Sequence, residues 1–473
     1  MHKLTALGVA LSGSLFLSGC DDEDKLYKIF PSGELRVIHA SPDAPPVNVL
    51  LNGKSKIENL DYAQSSGFTK LLAGNYHIQV EGIIPGGNAT VIDVKDYRIN
   101  KNGSPTIVAV DSVNAIEPII VQQSTTAPTN DEVALVVVHA APVAGAVDVY
   151  LTAPGASITG ESPAFNFDFK DSVDAGAVTA DEVEIQVTLG GTLVYNSGPL
   201  DLSGFAGQKL MILAVNSENK TENDASPIKL LAVTDSAVVE LRDADTLSGA
   251  KIVHGSPDAA SAAGGPVEVF ASSPVLGIAP VELIDAFDYT DIVPAADSYV
   301  GVPNGSYTFD VAPNTNSVGD SIYTSPLLEL NPGTEYTVIA SGRVTTDPTF
   351  GLLATADNNR AIATQASLKL THAAPAAGDV DVYIAGAGAY SVAEVEAGMA
   401  GHPTLENFSF GSISNYIAIT PGDYDIRVVA GGTVAINLES IPVAGGDVLN
   451  AIARGPSEPA GLPNDFDVIL LSN

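Results

Sequence analysis

The stretch "LRVIHASPDAPPVNVLLNG", Leu35–Gly53, sets two apolar runs on either side of a histidine, a Ser-Pro-Asp triplet and two further prolines. Proline fixes φ and removes a donor, so Ser41–Pro46 reads as an extended turn, and Asp43 can bond its own backbone two residues on. That describes a corner between two strands. The stretch recurs as "LVVVHAAPVAGAVDVYLTAPG" from Leu135, "AKIVHGSPDAASAAGGPVEVFASS" from Ala250 and "LKLTHAAPAAGDVDVYIAGAG" from Leu368. Each copy carries a histidine (His39, His139, His254, His372) and, three residues on, a proline (Pro42, Pro142, Pro257, Pro375). The histidines are 100, 115 and 118 residues apart. This is the period of a domain; solenoid repeats are several times shorter.

Three more anchors follow in each copy. The first is apolar-polar-aromatic, a strand pattern: Leu60-Asp61-Tyr62, Phe167-Asp168-Phe169, Phe287-Asp288-Tyr289 and Phe408-Ser409-Phe410. The second is a Gly-x-Tyr turn leading into alternating apolar residues, as in "AGNYHIQV", "NGSYTFDV" and "PGDYDIRV". Copy two departs here, with Asp181 in place of the glycine and Val183 in place of the tyrosine, so its turn must differ. The third is another apolar run, near Ile107, Ile212, Val338 and Leu449. Gly, Pro, Asn and Asp clusters separate the runs.

Short period-two runs rich in Val, Ile, Tyr and Phe argue for an all-β chain: a tandem array of immunoglobulin-like antiparallel β-sandwiches. The repeats are expected at 33–122, 131–242, 247–362 and 366–473, with a polar linker at Val121–Glu132 between the first two. Long helical periodicity is absent. A capping-box pattern, Ser391-Val392-Ala393-Glu394, predicts one or two helical turns ending near Met399.

The four openings, with the Gly-x-Tyr strand after them, resemble the bacterial envelope family filed as domain of unknown function 4397, from about Gly33 onward. The resemblance implies exported proteins, often lipoproteins, built of one or several β-sandwich domains. It implies no activity and no catalytic residue.

The N-terminus "MHKLTALGVALSGSLFLSGC" has a basic start at Lys3, an apolar stretch from Leu4 to Leu17 and then small residues, the layout of a secretory signal peptide over 1–19. The stretch is too short to span a bilayer as a helix. Leu17-Ser18-Gly19-Cys20 resembles the lipobox of bacterial lipoproteins, in which the cysteine is acylated and becomes the first residue of the mature chain. Cys20 is the single cysteine, so no intrachain disulfide can form. An acidic tether, 20–32, follows. Acyl chains on Cys20, at about 0.8 kcal/mol per buried CH₂, would hold the chain at a bilayer surface. The layout fits the inner or the outer membrane, and a periplasmic or a surface-facing chain.

The formal net charge is −35, with 56 acidic against 21 basic residues, which disfavours nucleic acid and anionic lipid faces as partners. Only 16% of residues are charged and 45% are hydrophobic, so the acidity belongs to a folded protein.

Candidate chemistry is sparse. A zinc site needs three or four converging ligands, whereas each repeat offers one recurring histidine; the expected role is structural, the ring bonding a backbone carbonyl near the following turn. Gly319-Asp320-Ser321-Ile322 resembles the Gly-Asp-Ser-Leu block of a hydrolase family, but it falls in a mid-domain turn of one copy. Asp21 to Asp24 could bind a cation, yet an acidic run beside a lipid anchor reads first as a solvated spacer or sorting mark. No cofactor, metal or catalytic residue is expected. Two binding readings remain: protein interaction or adhesion through tandem domains, and polysaccharide binding, which the lack of Trp weakens.

Overall fold

The computed structural model describes residues 26–472, apart from 28, 124–125, 219, 222–225, 296, 347–349 and 458–464. Leu17, Ser18, Gly19 and Cys20, with the acidic run after them, lie outside the described residues.

The first repeat is a two-sheet sandwich of eight strands: β1 (Ser32–His39), β2 (Val47–Leu51), β3 (Lys54–Leu60), β4 (Thr69–Leu72), β5 (Gly74–Gly82), β6 (Ala89–Ile99), β7 (Thr106–Val110) and β8 (Glu117–Val121). One sheet has the order β4-β1-β7-β8 and the other β3-β2-β5-β6. The Ser-Pro-Asp corner carries the chain from the first sheet to the second. Asn52 and Gly53, both at positive φ (52° and 75°), close the β2–β3 hairpin as Asn-Gly pairs do. Leu35 and Val37 of β1 point inward against Val47, Val49, Ile78 and Val80, the core of this sandwich. The hairpin sheet is antiparallel throughout, but β1 runs parallel to β7, with His39 opposite Ala109. The expected antiparallel sandwich therefore contains one parallel pair, because the chain visits the far sheet twice before β7 returns beside β1.

The other copies repeat this plan. Their first strands, Glu132–His139, Ser248–His254 and Ala366–His372, each pair in parallel with a later strand, Lys209–Asn216, Glu335–Ser341 and Val448–Arg454. Copy two adds a fifth strand, Val238–Leu241. Copy three inserts a short helix, Ala259–Ala263, closed by Gly264 in the left-handed region at φ 78°. In copy four the expected helix is present at Val392–Glu396, and its capping box is complete: Ser391 accepts from the Glu394 N–H, and the Glu394 carboxylate accepts from the Ser391 N–H.

Two compact units result, one holding sandwiches one and two and the other sandwiches three and four. Within each unit the first-strand sheets face one another. Ile38, Val108, Val110 and Val121 of sandwich one pack on Val136, Val138, Leu213, Leu231 and Val233 of sandwich two. In the other unit Val253 and Ile339 meet Ala373, Ile452, Ile469 and Leu471. These strands are thus covered on both faces. Among the described residues no helix is long and apolar enough to cross a membrane.

Candidate functional site

The recurring corner is a closed hydrogen-bond assembly. The Nε2–H of His39 donates to the Pro45 carbonyl at 3.0 Å while Nδ1 accepts from the Ser41 N–H at 3.3 Å. His139 bonds the Gly145 carbonyl (2.5 Å) and the Ala141 N–H (3.4 Å) in the same way, and His372 bonds the Gly378 carbonyl (2.7 Å) and the Ala374 N–H (3.3 Å). Both nitrogens of these neutral rings are engaged, which leaves no lone pair for a metal. Burial lowers the pKa of His139 and of His372.

His254 breaks the pattern. In the other copies the acceptor is the residue six positions on; in copy three that residue is Ala260, whose carbonyl lies inside the inserted helix and accepts from the Gly265 N–H. The Nε2 of His254 thereby loses its carbonyl, its Nδ1 also lacks the N–H bond made in the other copies, and burial pushes the pKa down to about 4. Phe287 and Tyr289 flank the ring, with centroids 5.3 and 6.0 Å away.

The aromatic of each Leu/Phe-x-aromatic anchor packs edge-to-face against the same ring: Tyr62 against His39 (centroids 6.2 Å apart), Phe169 against His139 (6.0 Å) and Phe410 against His372 (6.1 Å). Those anchors were expected to be strands. The strand stops at the first residue of each, at Leu60, Phe167, Phe287 and Phe408, and the next two form a turn. In that turn the Asp61 carboxylate takes the Tyr62 N–H, and the Asp171 and Asp291 carboxylates take the Asp168 and Asp288 N–H groups.

Asp43 was expected to cap its own turn, and Asp258 holds the same position in copy three. Instead Asp43 accepts from the Val113 N–H (2.7 Å), and Asp258 accepts from the N–H groups of Val344 (2.8 Å) and Thr345 (3.1 Å) and from the Thr345 hydroxyl (2.7 Å). Ser41 donates to the Asp111 carbonyl and Ser256 to the Gly342 carbonyl, at 2.5 and 2.8 Å. The Ser-Pro-Asp triplet thus pins the loop that leaves the parallel partner strand. The Gly-x-Tyr tyrosines do similar work, Tyr76, Tyr307 and Tyr424 each donating to the carbonyl four residues back. Ser321 of the Gly-Asp-Ser-Ile turn donates to the Val318 carbonyl and Asp320 accepts from Thr315; both close their own turn.

The sequence reading missed the polar seams between paired sandwiches. Three residues before each histidine stand Arg36, Val136, Lys251 and Lys369, on the face turned away from their own core. Arg36 donates to Thr106 Oγ1 (3.0 Å) and to the Thr234 carbonyl of sandwich two (2.9 Å), and its guanidinium lies 4.5 Å over Phe68. Burial lowers its pKa to about 10, against the pull of Asp235, so it remains charged at neutral pH. Lys369 of sandwich four reaches Asp357 of sandwich three at 2.5 Å, the two side chains 2% and 0% exposed. Asp357 also accepts from Thr337 (2.5 Å) and Tyr299 (3.0 Å). Tyr62 and Tyr289 donate across their seams to the Asn216 and Gly455 carbonyls, at 2.8 and 2.6 Å. Among the described residues no group of three or more His, Cys, Asp or Glu is arranged to hold a metal.

This architecture defines a class, tandem β-sandwiches fused in pairs through their first-strand sheets. The model of the family "Domain of unknown function (DUF4397)" matches residues 33–150 and 248–383, more than half of the chain, and the protein belongs to that family. None of the curated proteins matches it. Among solved structures it is similar to the Bacillus anthracis TIE protein (11% identity over 89% of this chain and 68% of that one, TM-score 0.15). It is also similar to a Bacteroides fragilis protein described as a candidate cell adhesion protein (8% identity over 48% of this chain and 97% of that one, TM-score 0.12). Scores this low carry no argument about what the protein does.

Proposed function

We propose that this is a non-enzymatic, lipid-anchored protein of a bacterial cell envelope, acylated on Cys20, whose sandwiches engage another envelope protein or mediate adhesion. The observation that carries the reading is the manner of pairing. Each pair joins through its first-strand sheets and not its hairpin sheets, and the hairpin strands of copies two and three carry Leu151, Leu189, Val281 and Leu283 at the surface. Repeated faces on one chain suit weak, multivalent binding, because tethering raises the effective concentration of every copy after the first. The leader pattern and the single cysteine support the anchor.

The test is to label cells with a palmitate analogue, expose intact cells to protease and pass the soluble chain from Asp21 over envelope extracts. Labelling that Cys20→Ala abolishes, together with specific recovery of an envelope protein, is expected. Unchanged labelling of the variant removes the anchor; an empty pull-down removes the interaction role. Cleavage on intact cells would place the chain on the outer face, and protection would place it in the periplasm.

Polysaccharide binding is the second reading, favoured by an open cavity of about 320 Å³ beside Tyr150, Ser157, Glu161 and Ser162 in copy two. A glycan array without hits would end it.

A further inference from the structure

Sandwich four is underfilled. Between its sheets lies a cavity of about 180 Å³, lined among others by Leu368, Ile419, Ile426, Leu438, Ala451 and Leu470. A smaller void of about 30 Å³ continues from it toward His372 and shares the Ile426, Leu438 and Ala451 walls. The reason is visible by comparing the copies. Two residues before the alanine that faces each recurring histidine across the parallel ladder, copies one to three place Ile107, Ile212 and Val338, all in their sandwich cores; copy four places Ala451. Leu470, opposite Ala451 on the next strand, is 51% exposed and does not close the space. Among the described residues, the fourth core accordingly holds eight buried apolar side chains against thirteen in the first.

A folded interior rarely leaves room on this scale, since a void forfeits the dispersion contacts of its walls. Apolar cavities of about 150 Å³ stay dry and take up hydrocarbons. We propose that this gap is a binding site for an unbranched aliphatic chain of about six to eight carbons, a size set by the cavity volume. The smaller void toward His372 extends the apolar space in one direction, which favours a chain over a ring, and the walls present apolar side chains, with the Tyr424 hydroxyl already committed to Thr420. The proposal does not depend on the adhesion reading.

The test uses the full chain from Asp21, which carries no acyl group, purified without detergent, with ¹³C-methyl labelling and n-alkan-1-ols from butanol to dodecanol as probes. Shifts are expected at the methyls of Ala451, Leu438 and Ile426. Affinity should rise about fourfold per methylene and level off near eight carbons, when the cavity is full. Ala451→Ile restores the residue of copies one and two and should abolish binding while the other methyl resonances keep their dispersion. If that variant fails to fold, the wild-type shifts alone decide the location. No saturable shift with any alkanol, shifts confined to other sandwiches, or undiminished binding by a folded Ala451→Ile chain would each overturn the proposal. A second arm incubates the chain with phosphatidylcholine vesicles: the same methyl shifts there identify a lipid acyl tail as the source, and alkanol binding without them identifies free chains.

Discussion

His254 shows how one motif residue can have opposite energetics in different copies. In the unfolded chain a histidine titrates near 6.5, whereas folded His254 titrates near 4. Above pH 6.5 the ring is neutral in both states and contributes nothing that depends on pH. Between 6.5 and 4 the unfolded chain binds a proton that the folded one refuses, so stability falls on acidification, by on the order of 3 kcal/mol at pH 4. Urea titrations of His254→Leu against wild type should show a flatter acid limb, and at pH 7 no loss or a slight gain, because the change removes two buried nitrogens that lack partners. The corresponding His39→Leu should cost about 1–3 kcal/mol at pH 7, since it strands the buried Pro45 carbonyl. Equal losses for the two variants would show that the unsatisfied state of His254 is energetically irrelevant.

At the scale of elements, the corner and the loop it pins form one device, and its copies differ in the number of bonds they make. Asp258 holds two backbone N–H groups and a hydroxyl, Asp43 a single N–H, and copies two and four have no acid at that position. Asp258→Ala should therefore release the loop at Val344 and Thr345 and cost about 2 kcal/mol or more, with Asp43→Ala near 1. Amide exchange at those residues, compared with Val113, measures the difference; equal protection in wild type and Asp258→Ala would show that the carboxylate does not hold the loop. Much of this device was legible in sequence. The period, the histidine's carbonyl bond and the capping box at Ser391 follow from local rules that act within a few residues. The acceptor role of Asp43 was not legible, because its partner lies 70 residues on and reaches it only through the parallel strand pair. The aromatic anchors misread as strands for a related reason: Tyr62 and its counterparts are placed by a histidine ring on another strand, which no local periodicity records.

At the scale of the molecule the chain is a repeat of pairs. Odd copies carry Ser-Pro-Asp and a tyrosine, Tyr62 or Tyr289, whose hydroxyl crosses the seam; even copies carry Ala-Pro and a phenylalanine, Phe169 or Phe410. The alternation stood in the sequence, but its meaning depends on which faces meet. The first strand of copy two, an unbroken apolar run from Val133 to Val138, was the other trace, since a strand covered on both faces loses the period of two; in the other copies Arg36, Lys251 and Lys369 interrupt the run. The ion pair in the second seam tests the coupling of its two sandwiches: Lys369→Met or Asp357→Asn alone should cost about 3–5 kcal/mol by leaving a buried group uncompensated, whereas Lys369→Met with Asp357→Leu should recover most of it. Additive losses in that cycle would mean that the two groups do not act as a pair. The seams also set the smallest piece that can fold. Sandwich one alone, residues 33–122, would expose Ile38, Val108, Val110 and Val121, at about 1.5–3 kcal/mol for each side chain. The total, on the order of 10 kcal/mol, matches the whole stability of an ordinary domain. Residues 26–245, which keep both sandwiches of the first unit, should unfold in one cooperative transition, while 33–122 should melt much lower or self-associate through the exposed sheet. Calorimetry with sedimentation of the two fragments decides this: a monomeric 33–122 with the melting temperature of the pair would make each sandwich an independent domain and reduce the seam to a contact.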